Sequence, residues 1–105
     1  MTDKQIVLTT CGSEDEAEKI ARHLIENRLA ACVNIISGAK SIYRWQEKVE
    51  SAQEWLLLVK TTTKKISLVR NAILKLHSYD VPEFIVLSIE DGDAAYLGWI
   101  ADSVR

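Results

Sequence analysis

Two stretches of this chain, Trp55-Leu56-Leu57-Leu58-Val59 and Phe84-Ile85-Val86-Leu87, are apolar at every position. Successive side chains of a strand point to opposite faces, so a strand with one wet face alternates apolar and polar residues. Unbroken apolar runs therefore require cover on both faces of the sheet. The rest of the chain has to supply that cover or find it elsewhere.

The helical signals are few. Ser13-Glu14-Asp15-Glu16 has the capping-box spacing, in which a hydroxyl and a carboxylate satisfy each other's free N–H groups. The stripe that follows, Ala17, Ile20, Ala21, Leu24 and Ile25, has helical period. A second stripe, Ile66, Val69, Ala72, Ile73 and Leu76, follows Thr61, Thr62 and Thr63, any of which can cap it. Asp91-Gly92-Asp93 reads as a turn, with Asp93 capping a last helix that buries Tyr96, Leu97, Ile100 and Trp99. Between these lie a first strand over Ile6–Thr10 and a second over Ala31–Ile36. The second bends at Ser37-Gly38 and continues over Ser41–Trp45, and a polar turn at Gln46–Lys48 leads to the strand through Trp55–Val59.

The order is β-α-β-β-α-β plus a short C-terminal helix, which predicts an α+β, ferredoxin-like sandwich over residues 1–105 as a single domain. In such a sandwich both main helices occupy one face of an antiparallel sheet. A ten-residue tail helix is too short to shield four strands on the other. The economical cover is another copy of the chain, which predicts a homo-oligomer packed sheet to sheet.

With 13 Lys and Arg against 15 Asp and Glu, the chain offers no basic surface for nucleic acid. No run approaches membrane-spanning length and no apolar signal segment follows Met1-Thr2-Asp3-Lys4-Gln5, so the expected compartment is cytoplasmic. Cys11 and Cys32 read as reduced thiols, Cys32 as core. His23 falls toward the polar face of the first helix and reads as a solvated histidine.

The chemistry gathers in His77-Ser78-Tyr79-Asp80-Val81-Pro82-Glu83, a connector between helix and strand in which Pro82 holds Val81 extended. Cys11 precedes the first helix, where free N–H groups stabilise an anion and lower a thiol's pKa. A thiolate and an imidazole suit Cu(I), Cu(II) or Zn(II). The metal candidates are Cys11, His77 and Glu83. Cys11 and His77 can stand at opposite ends of one subunit and meet only across a subunit boundary. A second candidate is an intersubunit pocket of Tyr43, Trp45, Lys60, Tyr79 and Glu83, suited to a small anion. The plainer alternative is a Lys60–Glu83 ion pair with the aromatics sealing an interface. No nucleophile elbow, Walker loop or HExxH spacing is present, so no enzyme is predicted.

Several strings, taken in order, carry a resemblance: Arg28-Leu29-Ala30-Ala31-Cys32-Val33-Asn34-Ile35, Ser41-Ile42-Tyr43-Arg44-Trp45, Leu58-Val59-Lys60-Thr61, His77 to Glu83, and Asp91-Gly92-Asp93 with Tyr96-Leu97-Gly98-Trp99. Together they span nearly the whole chain, which resembles the CutA divalent-cation tolerance proteins. The resemblance implies a ferredoxin-like homotrimer with its long hairpin reaching a neighbour, a role in divalent-metal tolerance, and copper binding that involves Cys11 and His77. Some members carry a second histidine where this chain has Leu76, so one ligand is absent. Ser78 replaces a usual proline, and Glu47 a common glycine, which suggests a different turn at the hairpin tip. The alternative function is a PII-like trimeric sensor or adaptor binding a small anion at intersubunit clefts, an analogy of fold alone.

Overall fold

Local sequence signals set the elements in place. A computed structural model of the chain describes residues Met1–Arg105. It runs β1 (Lys4–Cys11), α1 (Glu14–Glu26), β2 (Cys32–Trp45), β3 (Lys48–Thr62), α2 (Ile66–Leu76), β4 (Ile85–Ser88) and α3 (Ala94–Ser103). A 3-10 turn over Thr63–Lys65 leads into α2. The result is an α+β fold with one four-stranded antiparallel sheet, ordered β2-β3-β1-β4. No helix is long and apolar enough to cross a membrane.

α1 begins where Ser13 Oγ accepts the Glu16 N–H at 3.2 Å. Only this half of the expected capping box forms, because the Glu16 carboxylate turns inward toward His77. Ala17, Ile20, Ala21 and Leu24 are buried as their spacing predicts, but Ile25 is exposed. The helix ends with Arg28 at φ 55°, its N–H bonded to Ile25 O and that of Leu29 to Leu24 O. These are the two bonds of a Schellman ending, with Arg28 at the position glycine usually takes.

No threonine caps the second helix. Thr61 Oγ1 donates to Leu29 O, Thr63 Oγ1 to Asp3 O, and Thr62 makes no capping bond. The 3-10 turn takes the place of a side-chain cap. Asp93 does cap α3, its carboxylate accepting the Tyr96 N–H at 3.1 Å. Of the residues expected to bury there, Ile100 is buried and Leu97 partly so, whereas Tyr96 and Trp99 are largely exposed.

The core lies between one face of the sheet and α1 with α2. Val7 and Cys11 of β1, Leu57 and Val59 of β3, Ile20 and Leu24 of α1, and Val69 and Ile73 of α2 form its centre. α3 reaches the opposite face at one end, where Lys60 Nζ stands 5.9 Å from the Tyr96 ring centroid. Beyond it Ile36, Ile85 and Leu87 remain 45 to 46% exposed, so α3 does not cover the second face. Cys32 also faces this side, partly exposed beside Asn34 and Lys60 rather than in the core.

The β2–β3 hairpin carries two irregularities. Ile36 pairs with Leu56 and Ala39 with Glu54, so Ser37 and Gly38 oppose the single residue Trp55. This is the bulge expected at Ser37-Gly38, and Gly38 supplies φ 83° there. At the tip Trp45 pairs with Lys48, leaving a two-residue turn with Gln46 at φ 49° and Glu47 at φ 70°. Two consecutive positive φ values are the demand of a primed hairpin turn, so Glu47 strains the turn type that glycine favours. A Glu47→Gly substitution is expected to raise stability by about 1 kcal/mol, read from the denaturant midpoint. An unchanged or lower midpoint would show that Glu47 gains a compensating contact.

Candidate functional site

The connector after α2 folds back under the C-terminal end of β1. The His77 N–H still bonds to Ile73 O, but its own backbone is extended, which ends the helix and turns the imidazole inward. That side chain is fully buried. One ring nitrogen, Nε2, lies 2.7 Å from Thr10 O. A carbonyl only accepts, so Nε2 carries the proton; Nδ1 then accepts the Tyr79 N–H at 3.1 Å. The Tyr79 ring packs against the imidazole with centroids 4.7 Å apart.

β1 carries Cys11 to this imidazole. Cys11 Sγ lies 3.9 Å from His77 Nε2 within one subunit, so no boundary is needed to bring them together. The third group is Glu16, on the first turn of α1, with Oε1 3.4 Å from His77 Nδ1. Ligand atoms of Cys11, Glu16 and His77 all lie within 4.8 Å of one another. Glu83 is not among them. Leu76, at the place of a second histidine in some relatives, packs against the hydrophobic core instead.

Glu16 is the residue that the sequence conceals. Its carboxylate reads as a capping group, and the signal that finds it is spatial: a helix starting just after Cys11 presents its N3 side chain toward the end of β1. Glu16 Oε1 is buried with no hydrogen-bond partner. It faces a nitrogen that already accepts from Tyr79, so no protein donor reaches it. A cation at that point would satisfy it.

The thiol is not activated. Burial pushes the Cys11 pKa up to about 12, and the Glu16 and Glu54 carboxylates push in the same direction. Desolvation and two acids outweigh the helix start that is expected to lower it. The Tyr79 phenol is pushed up as well, by burial first and then by Glu54, to which it donates at 2.7 Å.

The other candidates separate. Tyr43, Trp45, Tyr79 and Glu83 line one open cavity between the hairpin and the Tyr79–Glu83 loop. Lys60 is not among its lining residues; its ammonium donates to Asn34 Oδ1 at 2.6 Å instead, and no Lys60–Glu83 ion pair forms. His23 is partly exposed on α1 beside Asn27, near the expected polar face.

This geometry defines a small α+β protein with a buried thiol, imidazole and carboxylate meeting at the end of a central strand. A family model described as CutA1 divalent ion tolerance protein matches residues 5–103. The divalent-cation tolerance protein CutA of Thermus thermophilus is 48% identical over 100 residues, covering 95% of this chain and 97% of that protein. The crystal structure of CutA from Xylella fastidiosa superposes with a TM-score of 0.97 at 38% identity, covering 99% of this chain and all of that one. The solved Cut A1 structure from Thermus thermophilus gives 0.94 at 47% identity, covering 97% and 99%. The chain belongs to the CutA1 divalent ion tolerance family. The family is named for tolerance of divalent cations, not for a reaction.

Cys11 and Tyr79 both have folded-state pKa values above their ordinary ones, so their contribution to stability is complete below those ordinary values. It is lost as pH rises from about 9.0, the ordinary thiol value, through about 12. Alkaline unfolding should therefore be less steep in Cys11→Ser and Tyr79→Phe. In a Cys32→Ser background, the rate of Cys11 alkylation by iodoacetamide should still be climbing well past pH 9.0. A plateau near that value would mean an ordinary thiol.

Proposed function

We propose that this chain acts in divalent-cation tolerance by binding a copper-type metal ion through Cys11, His77 and Glu16. The observation that carries the reading is the buried, partnerless Glu16 Oε1 beside a thiol and an imidazole. Sulfur, nitrogen and oxygen donors of this kind suit copper or zinc, and one ligand atom from each residue lies within 4.8 Å of the others. When bound, the metal supplies the positive charge that the carboxylate lacks. The chain's own part is to keep water out, to hold the ring through Thr10 and Tyr79, and to release the thiol proton on binding. A ring nitrogen must exchange its present hydrogen bond to become a ligand.

The same reading includes a homotrimer of ferredoxin-like subunits, each one domain over residues 1–105. The sheet order β2-β3-β1-β4 supports that subunit topology. The exposed Ile36, Ile85 and Leu87, left bare by α3, support burial against other copies. Two free cysteines fit a reducing compartment such as the cytoplasm. The reading assigns binding rather than catalysis, because burial pushes the Cys11 thiol up and away from the reactive thiolate. A sensor for small anions finds less support, because no Lys, Arg or His lines the large cavity.

Copper titration of the assembled protein should give one site per subunit. Cys11→Ser, His77→Ala and Glu16→Gln should each weaken it by at least about tenfold, a loss that even removing a ligand's hydrogen-bond partner produces. Equal binding by all four proteins would show these ligands to be wrong. Sedimentation equilibrium is expected to give three times the 11.8 kDa subunit mass, and a stable monomer would remove the assembly from the proposal.

A further inference from the structure

We propose that the cavity between the β2–β3 hairpin and the Tyr79–Glu83 loop is a binding site for an organic ammonium ion, a cation with an apolar body. Its volume is about 800 Å³. That is small-molecule scale, whereas a bare divalent ion needs only a tight shell of oxygens. The walls state the charge of the occupant. Glu50, Glu54, Asp80 and Glu83 line the cavity, and no basic side chain does. Tyr43, Trp45 and Tyr79 provide aromatic faces, the surfaces that attract ammonium groups and pack against hydrocarbon.

Glu54 gives a separate reason. It is only 7% exposed, yet its sole side-chain partner is the Tyr79 hydroxyl. The ion pairs between charged side chains are Lys4–Asp3, Arg22–Glu18 and Arg105–Asp102, so no cation of the same subunit reaches Glu54. A carboxylate buried to this degree calls for a countercharge, and a hydroxyl donor alone does not supply one. An ammonium group in the cavity would stand against Glu54 and Glu83, with its hydrocarbon part along Trp45 and Tyr43. This site uses none of the side chains assigned to the metal.

The test is calorimetry on the full-length, assembled protein with phenethylammonium chloride as the probe. Its anionic counterpart 3-phenylpropionate and magnesium chloride serve as controls. Phenethylammonium should bind and quench Trp45 fluorescence, the controls should not bind, and Cys11→Ser should leave binding unchanged. Glu54→Gln and Glu83→Gln should each weaken binding about tenfold or more, as loss of a charge partner does. Glu83 and Trp45 lie nearer the rim, so Glu83→Gln and Trp45→Ala decide the matter should Glu54→Gln fail to fold. The proposal is overturned if phenethylammonium does not bind at millimolar concentration, as when a neighbouring subunit fills the cavity. Equal binding by the carboxamide variants, equally tight binding of phenylpropionate, or displacement by magnesium would also overturn it.

Discussion

The register of β1 is the constraint on which the rest depends. β1 pairs with β3 along its whole length, from Lys4 opposite Thr62 to Cys11 opposite Trp55, and with β4 from Gln5 to Leu8. Val7, Thr9 and Cys11 all face the helices and are fully buried, while the intervening Leu8 and Thr10 face away. A slip of one residue would exchange the two sets, because side chains alternate strictly along a strand. It would put Cys11 on the outer face and also move the Thr10 carbonyl that holds His77. Core packing and the candidate metal cluster are therefore fixed by the same ladder of hydrogen bonds.

Period and turn chemistry make much of this fold legible. The stripes of α1 and α2, the Ser37-Gly38 bulge and the Asp93 cap are all local, and local rules find them. The misplaced features are those whose partners come from elsewhere. Ile25 has helical spacing but is 41% exposed, beyond the buried part of the α1 stripe. The threonines before α2 are drawn away by Leu29 and Asp3, carbonyls distant in sequence. Cys32 reads as core because its neighbours are apolar, yet it stands on the sheet face opposite the helices.

The site shows the same division more sharply. Cys11 and His77 are recognisable by residue type, but their meeting depends on α2 returning to the end of β1 at which Cys11 lies. Residue types carry no distance across 66 residues. The direction of the thiol's ionisation escapes a reading of the sequence for a related reason. A helix start is visible in a sequence, whereas full burial beside Glu16 and Glu54 is not, and desolvation is the larger effect. Lys60 groups with the aromatics only by its place at the end of a strand. The register sets it against Cys32 instead, and its ammonium goes to Asn34.

Tyr79 connects the two sites. Its backbone N–H holds His77 Nδ1, its ring lies on the imidazole, and its hydroxyl donates to Glu54 in the cavity wall. Its hydroxyl also lies 2.9 Å from where a Cβ on residue 12 would sit, so Gly12 beside Cys11 is what lets it pass. A charge placed against Glu54 would draw on the same carboxylate that raises the pKa of both Cys11 and Tyr79. Neutralising Glu54 removes part of the penalty on forming the Cys11 thiolate, the form a metal requires. Exchanging the thiol proton for a divalent ion nevertheless adds one positive charge near Glu54, so an ammonium ion on that carboxylate and a metal at Cys11 would oppose each other's binding, and linkage makes that coupling reciprocal.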